Sequence, residues 1–145
     1  VILGYQIFIK NSRQFVNSYI GGIRIEPGKK TSIVLNREII EKIPYPYSDC
    51  RDLENENFHS FYYDFIKNNL TRFDYDQNFC FLLCYQKMVI DECKCYNPQF
   101  TNLFKQVKQC KNSSEFVCQG LAFGKFLQLD LVKEFGHVCP LGKKK

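Results

Sequence analysis

Tryptophan is absent from the 145-residue chain, methionine occurs once and histidine only twice. No stretch approaches the roughly 18 to 20 consecutive apolar residues that a membrane-spanning helix needs. No charged leader precedes the apolar start of the chain, and no internal repeat or low-complexity segment is visible. These absences predict a chain that is soluble as it stands, or a piece of a larger protein.

Net charge is also scarce. The formal charge is +5, and because three positive charges belong to the terminal Lys143, Lys144 and Lys145, the rest of the chain carries only +2. This leaves no electrostatic footprint for nucleic acid, and three lysines fall short of a polybasic patch for anionic lipid. By contrast, 45% of the residues are hydrophobic and 16% aromatic, which is enough for one ordinary domain with a core.

Cysteine is abundant, but no two cysteines have the Cys-x-x-Cys spacing. The eight are Cys50, Cys80, Cys84, Cys93, Cys95, Cys110, Cys118 and Cys139. Structural zinc sites usually supply closely spaced ligand pairs twice, and His59 and His137 fit no such pair. An even cysteine count, with glycosylation sequons at Asn69 and Asn112, favours an oxidising compartment. The pattern therefore predicts disulfides rather than a metal site.

Alternating apolar and polar residues predict strands in the first part of the chain. Residues 3–10 alternate in this way, and residues 21–36 read as two strands around Pro27-Gly28, which predicts a hairpin or a tight corner. Asn36 is expected to cap a short helical turn.

Helical spacing dominates the middle of the chain. An aromatic face with helical periodicity is predicted to pack on the core, and it consists of Phe58, Phe61, Tyr62, Phe65 and Ile66. A second helix is predicted from about Tyr75 to Asp91, whereas residues 116–136 suggest a strand or mixed structure. The predicted fold class is therefore α+β, with antiparallel strands followed by disulfide-stapled helices and no transmembrane segment.

The cysteines of the second helix are poorly placed to bridge one another. Cys80 and Cys84 lie four residues apart, which on a helix separates their Cβ atoms by about 5 to 6 Å, whereas a disulfide needs about 4 Å. On one helix face, the two are instead well placed to bridge outward to one neighbouring segment. Cys93 and Cys95 would also strain a mutual bond. If all four bridge outward, about 24 pairings remain open, and the partners are Cys50, Cys110, Cys118 and Cys139.

Three blocks of the chain resemble the degenerin and epithelial sodium channel family, which includes acid-sensing and peptide-gated channels. Residues 21–50, "GGIRIEPGKKTSIVLNREIIEKIPYPYSDC", are similar to a family signature. "CFLLCYQKMVIDECKCYNP", which starts at Cys80, is similar to the cysteine motif of the family's thumb region. "CPL" at Cys139 resembles the cysteine-rich return strand before the second transmembrane helix.

The resemblance implies one partial extracellular domain. Residues 1–49 would be palm-type strands, residues 50–138 a cysteine-rich thumb, and residues 139–145 the start of the return strand with a broken basic end. It also implies the pairs Cys93–Cys118, Cys95–Cys110 and Cys80–Cys139.

Two cysteines stay unassigned by the resemblance. The family usually has further cysteines four residues before and after Cys139, where this chain has Phe135 and Lys143. Cys50 and Cys84 therefore pair with each other, stay free, or have lost partners in a truncated or mis-joined sequence.

The function implied by the resemblance is conduction of sodium ions at the plasma membrane by a trimer of subunits, gated by an extracellular ligand or by protons. This segment would be extracellular and would transmit gating motion to a pore that it does not contain, with no cofactor. Tyr45 and Tyr47 are candidate contacts between palm and thumb, although plain packing is the alternative role for both.

Two other functions compete with the channel reading. One is a secreted disulfide-rich binding module without channel activity. The other is an enzyme, which would need a cysteine or serine beside an oriented base. His59 and His137 give thin support for catalysis, and Asp74 and Asp76 are expected to be solvated charges or helix caps. The sequence therefore predicts no enzyme.

Overall fold

Two strands and four helices form within the residues that the computed structural model describes, which are 4–15, 22–38, 43, 46–53, 56–70, 72–100 and 102–142. The elements are β1 (Tyr5–Ile7), β2 (Ile23–Ile25), α1 (Phe61–Asn69), α2 (Gln77–Cys93), α3 (Ser113–Gln128) and α4 (Leu131–Phe135). The predicted α+β class is confirmed. None of the helices in these residues is long and apolar enough to cross a membrane.

The strands pair differently from the predicted hairpin. β1 pairs antiparallel with β2, with Tyr5 opposite Ile25. The turn after β2 does form, since Gly28 adopts a φ of +77°, which favours glycine. Residues 31–38 nevertheless form no strand, and Val34 is 94% exposed. These residues bury little apolar surface, so burial does not offset the conformational entropy that ordering a third strand would cost. The helical turn predicted from Asn36 falls mainly on residues 39–42, outside the described residues.

Side-chain caps set the starts of α1 and α2. The Ser60 hydroxyl accepts from the Tyr63 amide at 3.2 Å, and the Asp76 carboxylate accepts from the Asn78 and Phe79 amides. Each accepted bond satisfies amides that have no partner inside the helix. α2 therefore begins at Gln77, two residues later than predicted, and Asp76 is a helix cap, as expected.

The aromatic face predicted for α1 is confirmed for three of its five residues, since Ile66 is buried and Tyr62 and Phe65 pack against the core. The buried residues of α1 are Tyr63 and Ile66, whereas Phe61 is 48% exposed and Phe58 precedes the helix. Because Ser60 starts the helix after Phe58, the apolar spacing that included Phe58 does not follow one continuous helical face.

The strand or mixed structure predicted for residues 116–136 is also wrong, because α3 and α4 occupy most of this segment. The buried residues of α3 are Gln119, Ala122 and Phe126, which recur at helical spacing. The Glu115 carboxylate accepts from the amides of Lys111 and Asn112 at 2.7 and 3.1 Å, and this capping favours a helix start.

The core is built around α2. This helix packs against α1, α3 and α4, and ten of its residues are buried. The Tyr85 ring lies at the centre, with centroids 5.4 Å from the rings of Phe100, Phe123 and Phe126. Such separations are typical of favourable aromatic pairs. Helix α2 is therefore buried on most of its circumference. Its length of 17 residues is nevertheless that of an ordinary surface helix.

A buried glutamine ties α2 to the loop that follows it. Gln86 is 0% exposed. Its amide Nε2 donates to the Asn97 carbonyl at 3.1 Å, and its Oε1 accepts from the Asn97 amide at 3.1 Å. The side chain thus satisfies both backbone groups of one buried residue, as a neighbouring strand would.

Replacing Gln86 with leucine should lower the free energy of unfolding by about 2 to 4 kcal/mol, because both backbone groups of Asn97 would stay buried without a partner. Gln128→Leu makes the same chemical change at an exposed position of α3 and should change stability by less than about 0.5 kcal/mol. Denaturant unfolding followed by circular dichroism measures both values. Equal effects of the two substitutions would contradict the structural role of Gln86.

Candidate functional site

Two disulfides tie α2 to the segments around it, and a third lies just after the helix. Cys80–Cys139 lies near its start, Cys93–Cys118 joins its end to α3, and Cys95–Cys110 closes the following loop. These are the pairs that the family resemblance implies. Their sequence separations of 59, 25 and 15 residues correspond to about 3 to 4 kcal/mol of stabilisation each, through restriction of the unfolded chain.

The chain enters and leaves this helical body at one place, which we call the junction and define as residues 50–53 and 138–142. The Arg51 amide donates to the Leu141 carbonyl at 2.8 Å, and Arg51 and Gly142 form a parallel β-bridge. The Cys50 sulfur lies 3.5 Å from the Gly142 carbonyl oxygen. The incoming and outgoing segments therefore run side by side.

Side chains from the helical body hold the outgoing segment by its backbone. Three consecutive carbonyls, those of residues 138–140, accept hydrogen bonds from the Ser60 hydroxyl at 2.7 Å, the Gln77 amide at 2.9 Å and the Tyr75 hydroxyl at 2.8 Å. Sequence reasoning missed these donors. Any residue offers a carbonyl acceptor, so no residue pattern marks the pairing.

The two unassigned cysteines are both at the junction or beside it. Among the described residues, Cys50 and Cys84 are the cysteines outside a disulfide, and both are buried. Cys84 Sγ lies 3.6 Å from Cys139 Sγ, so that Cys80 and Cys84 face the same neighbouring segment, as their helical spacing predicts. Burial raises the pKa of the Cys84 thiol to about 12, against a hydrogen bond from Tyr62 that lowers it. Such a thiol is largely unreactive toward external reagents.

The remaining predicted site residues that the structure describes are exposed. Tyr47 is 81% exposed, and Tyr45 lies outside the described residues. Asn69 ends α1, where its side-chain amide donates to the Phe65 carbonyl at 3.2 Å. Asn112 is the exposed N-cap residue of α3.

The polar residues considered for catalysis have other roles. His59 Nδ1 lies 3.2 Å from the Asp64 carboxylate in an exposed pair, and Asp74 pairs with Arg13 at 3.6 Å. Across the described ranges, no group of three or more histidine, cysteine, aspartate or glutamate residues could hold a metal ion. Asp74 thus lies in a surface ion pair, and His59 contacts a surface carboxylate.

The model of the amiloride-sensitive sodium channel family matches residues 2–139. The chain therefore belongs to this family, as its cysteine motifs predicted. The family is one of ion channels, which supports a role other than catalysis. No solved structure matches the chain.

Curated relatives include epithelial sodium channel alpha subunits and a degenerin. The chain is 28% identical over 94 residues to the epithelial sodium channel subunit alpha of Neoceratodus forsteri, covering 65% of this chain and 13% of that protein. It is 25% identical over 93 residues to degenerin del-1 of Caenorhabditis elegans, with coverage of 64% and 13%. The subunit alpha of Homo sapiens is 32% identical over 75 residues, with coverage of 52% and 10%. The chain thus spans about an eighth of the length of these relatives or less.

Gly142 is a tightly packed position of the junction. A Cβ atom there would lie 2.9 Å from Leu53 Cδ1 and 3.0 Å from Tyr75 Cδ1, and the Tyr75 ring is anchored by its hydroxyl. Gly142→Ala should therefore lower the free energy of unfolding by about 1 to 3 kcal/mol, measured by denaturant unfolding.

Gly120→Ala is the matched control, because a Cβ atom at this helical position meets nothing within 4 Å. It should leave stability unchanged or raise it by up to about 1 kcal/mol. A Gly142→Ala protein as stable as the parent would show that the junction tolerates a larger residue.

Proposed function

We propose that the chain is part of the extracellular domain of a sodium-conducting channel subunit at the plasma membrane. In this proposal residues 1–49 are palm-type strands, residues 50–138 are a thumb-type helical body, and residues 139–145 start the return strand. The family match over residues 2–139 supports it, as do the disulfides, which persist in oxidising surroundings. Sodium conduction is a property of the whole protein, of which the chain is a small part.

The junction is the observation that carries the role within the channel. Cross-links at both ends of α2 make the helices one body, and residues 50–53 connect it to the chain beside residues 138–142. A body that is stiff inside and attached at one place moves as a unit. We infer that it passes a conformational change, caused by an extracellular ligand or by protons, to the segment that follows residue 142.

Assembly and surface chemistry complete the proposal. The complete subunit associates with other channel subunits as a trimer. Asn69 and Asn112 carry glycans, and the exposure of both residues supports this. Tyr47, which is largely exposed in this chain, contacts the helical body of the complete channel together with Tyr45.

The channel function is tested by electrical recording from cells that express the full-length protein containing this chain. A stimulus-dependent, amiloride-sensitive sodium current is the expected result, with untransfected cells as the control. Secretion of the protein into the medium, with no such current at any stimulus tested, would overturn the proposal and favour a secreted binding module.

Tyr75→Phe tests the role of the junction in the same recordings. It removes the hydroxyl that holds the Pro140 carbonyl at 2.8 Å, so the helical body should couple less tightly to the outgoing segment. If the lost bond is worth about 1 kcal/mol of coupling, the half-maximal stimulus should rise about fivefold.

Tyr85→Phe is the matched control, since it removes a hydroxyl bond to the Gln119 carbonyl inside the helical body. It should change the half-maximal stimulus by less than about twofold, with surface expression equal for both variants. Equal shifts in the two variants would indicate a general loss of stability rather than a function of the junction.

A further inference from the structure

Three sulfur atoms meet where α2 contacts the outgoing segment. Cys80 and Cys139 form a disulfide, and the Cys84 sulfur lies 3.6 Å from the Cys139 sulfur. All three residues are buried, with exposures of 0%, 3% and 0% for Cys80, Cys84 and Cys139. Cys80 and Cys84, one helical turn apart on α2, thus both face Cys139.

We propose that Cys139 is shared between Cys80 and Cys84 by intramolecular thiol–disulfide exchange, so that the protein has two interchangeable bridges between α2 and the outgoing segment. The Cys84 thiolate attacks Cys139 Sγ and forms the Cys84–Cys139 bond. The Cys80–Cys139 bond breaks, and Cys80 leaves with its electron pair and takes up a proton equivalent to the one that Cys84 released. The number of disulfides is unchanged, so no oxidant or reductant is consumed.

The geometry selects Cys139 as the sulfur that is attacked. Closing the distance from 3.6 Å to a bonded separation requires a movement of only about 1.5 Å. Attack on Cys80 would instead produce a bridge between positions four apart on one helix, where the Cβ atoms are about 5 to 6 Å from each other and too distant for a good disulfide.

Neighbouring groups are compatible with both the Cys80–Cys139 and the Cys84–Cys139 bridge. The Cys80 sulfur lies 3.8 Å from the Val138 carbonyl oxygen, an acceptor that a released Cys80 thiol could use. Hydrogen bonding by Tyr62 acts to lower the pKa of Cys84, which favours the attacking thiolate. Burial nevertheless keeps the thiolate fraction small, because it raises the pKa of Cys84 to about 12. Exchange in the folded protein is therefore slow on the scale of exposed thiols.

The exchange would shift the attachment point along α2 by four residues, or about 6 Å. It occurs at the junction, so the two isomers connect the helical body to the outgoing segment differently. This inference does not depend on sodium conduction and is tested on the chemistry alone.

The test is disulfide mapping of the full-length protein that contains this chain, unfolded in denaturant with N-ethylmaleimide already present so that the buried free thiols are blocked as they become exposed. Cleavage with chymotrypsin is needed, because Phe81, Leu82 and Leu83 separate Cys80 from Cys84, whereas no lysine or arginine lies between them. In the Cys80→Ser variant we expect a Cys84–Cys139 bridge, with Cys139 labelled at least about tenfold less than in the Cys80→Ser/Cys84→Ser double variant.

Intact Cys93–Cys118 and Cys95–Cys110 bridges serve as the folding control in each variant. Reduced Cys84 and Cys139 in a Cys80→Ser protein with both control bridges present would overturn the proposal. Pairing of Cys84 or Cys139 with Cys50, or with a cysteine outside this chain, would overturn it equally.

A second measurement on the unsubstituted protein covers the case in which Cys80→Ser does not fold. The folded protein is incubated without the blocking reagent, and samples taken at successive times are unfolded in denaturant with N-ethylmaleimide present. We expect a growing fraction in which Cys80 carries the label and Cys84 is bridged to Cys139. If only Cys84 carries the label over the whole time course, the Cys80–Cys139 bridge does not exchange and the proposal is wrong.

Discussion

Covalent attachment of α2 at both of its ends is the constraint on which the helical body depends. The neighbouring helices are short, with 9 residues in α1 and 5 in α4, and helices of this length are marginal without tertiary contacts. Bridges from Cys80 and Cys93 keep the outgoing segment and α3 against α2 even when local contacts open. The aromatic core around Tyr85 then has a permanent frame on which to pack.

The strands contrast with the helical body. Tyr5 of β1 is 69% exposed and Ile23 of β2 is 40% exposed, and an isolated two-stranded ribbon is marginal by itself. The strands are thus more exposed than the helical body, which agrees with a chain that spans at most about an eighth of its relatives' length. In the proposed channel, the helical body has its own core, whereas the strands depend on the rest of the subunit.

The proposed transmission of motion and the proposed disulfide exchange both occur at the junction. Hydrogen bonds from Ser60, Tyr75 and Gln77 hold residues 138–140, and the same segment contains the cysteine that two residues of α2 can reach. A bridge that changes partners there would alter the attachment of the body without altering its interior. The stiffness of the body and the adaptability of its attachment therefore have separate physical origins.

The sequence alone determined the features that depend on local spacing. The family assignment follows from three sequence blocks in the right order, the second helix from helical spacing, and the turn at Gly28 from the need for a positive φ. The helical spacing of Cys80 and Cys84 likewise predicted that both face one segment.

Tertiary structure decided what local spacing leaves open. Residues 116–136 mix apolar residues and glycines in a pattern that fits a strand or a helix, and packing of Phe126 against the core selects the helix. Three features of the fold act on backbone groups. They are the side-chain cap of α1, the two hydrogen bonds from Gln86 to Asn97, and the side-chain donors at the junction. Backbone groups are the same at nearly every residue, so only the folded arrangement determines which side chain meets which carbonyl.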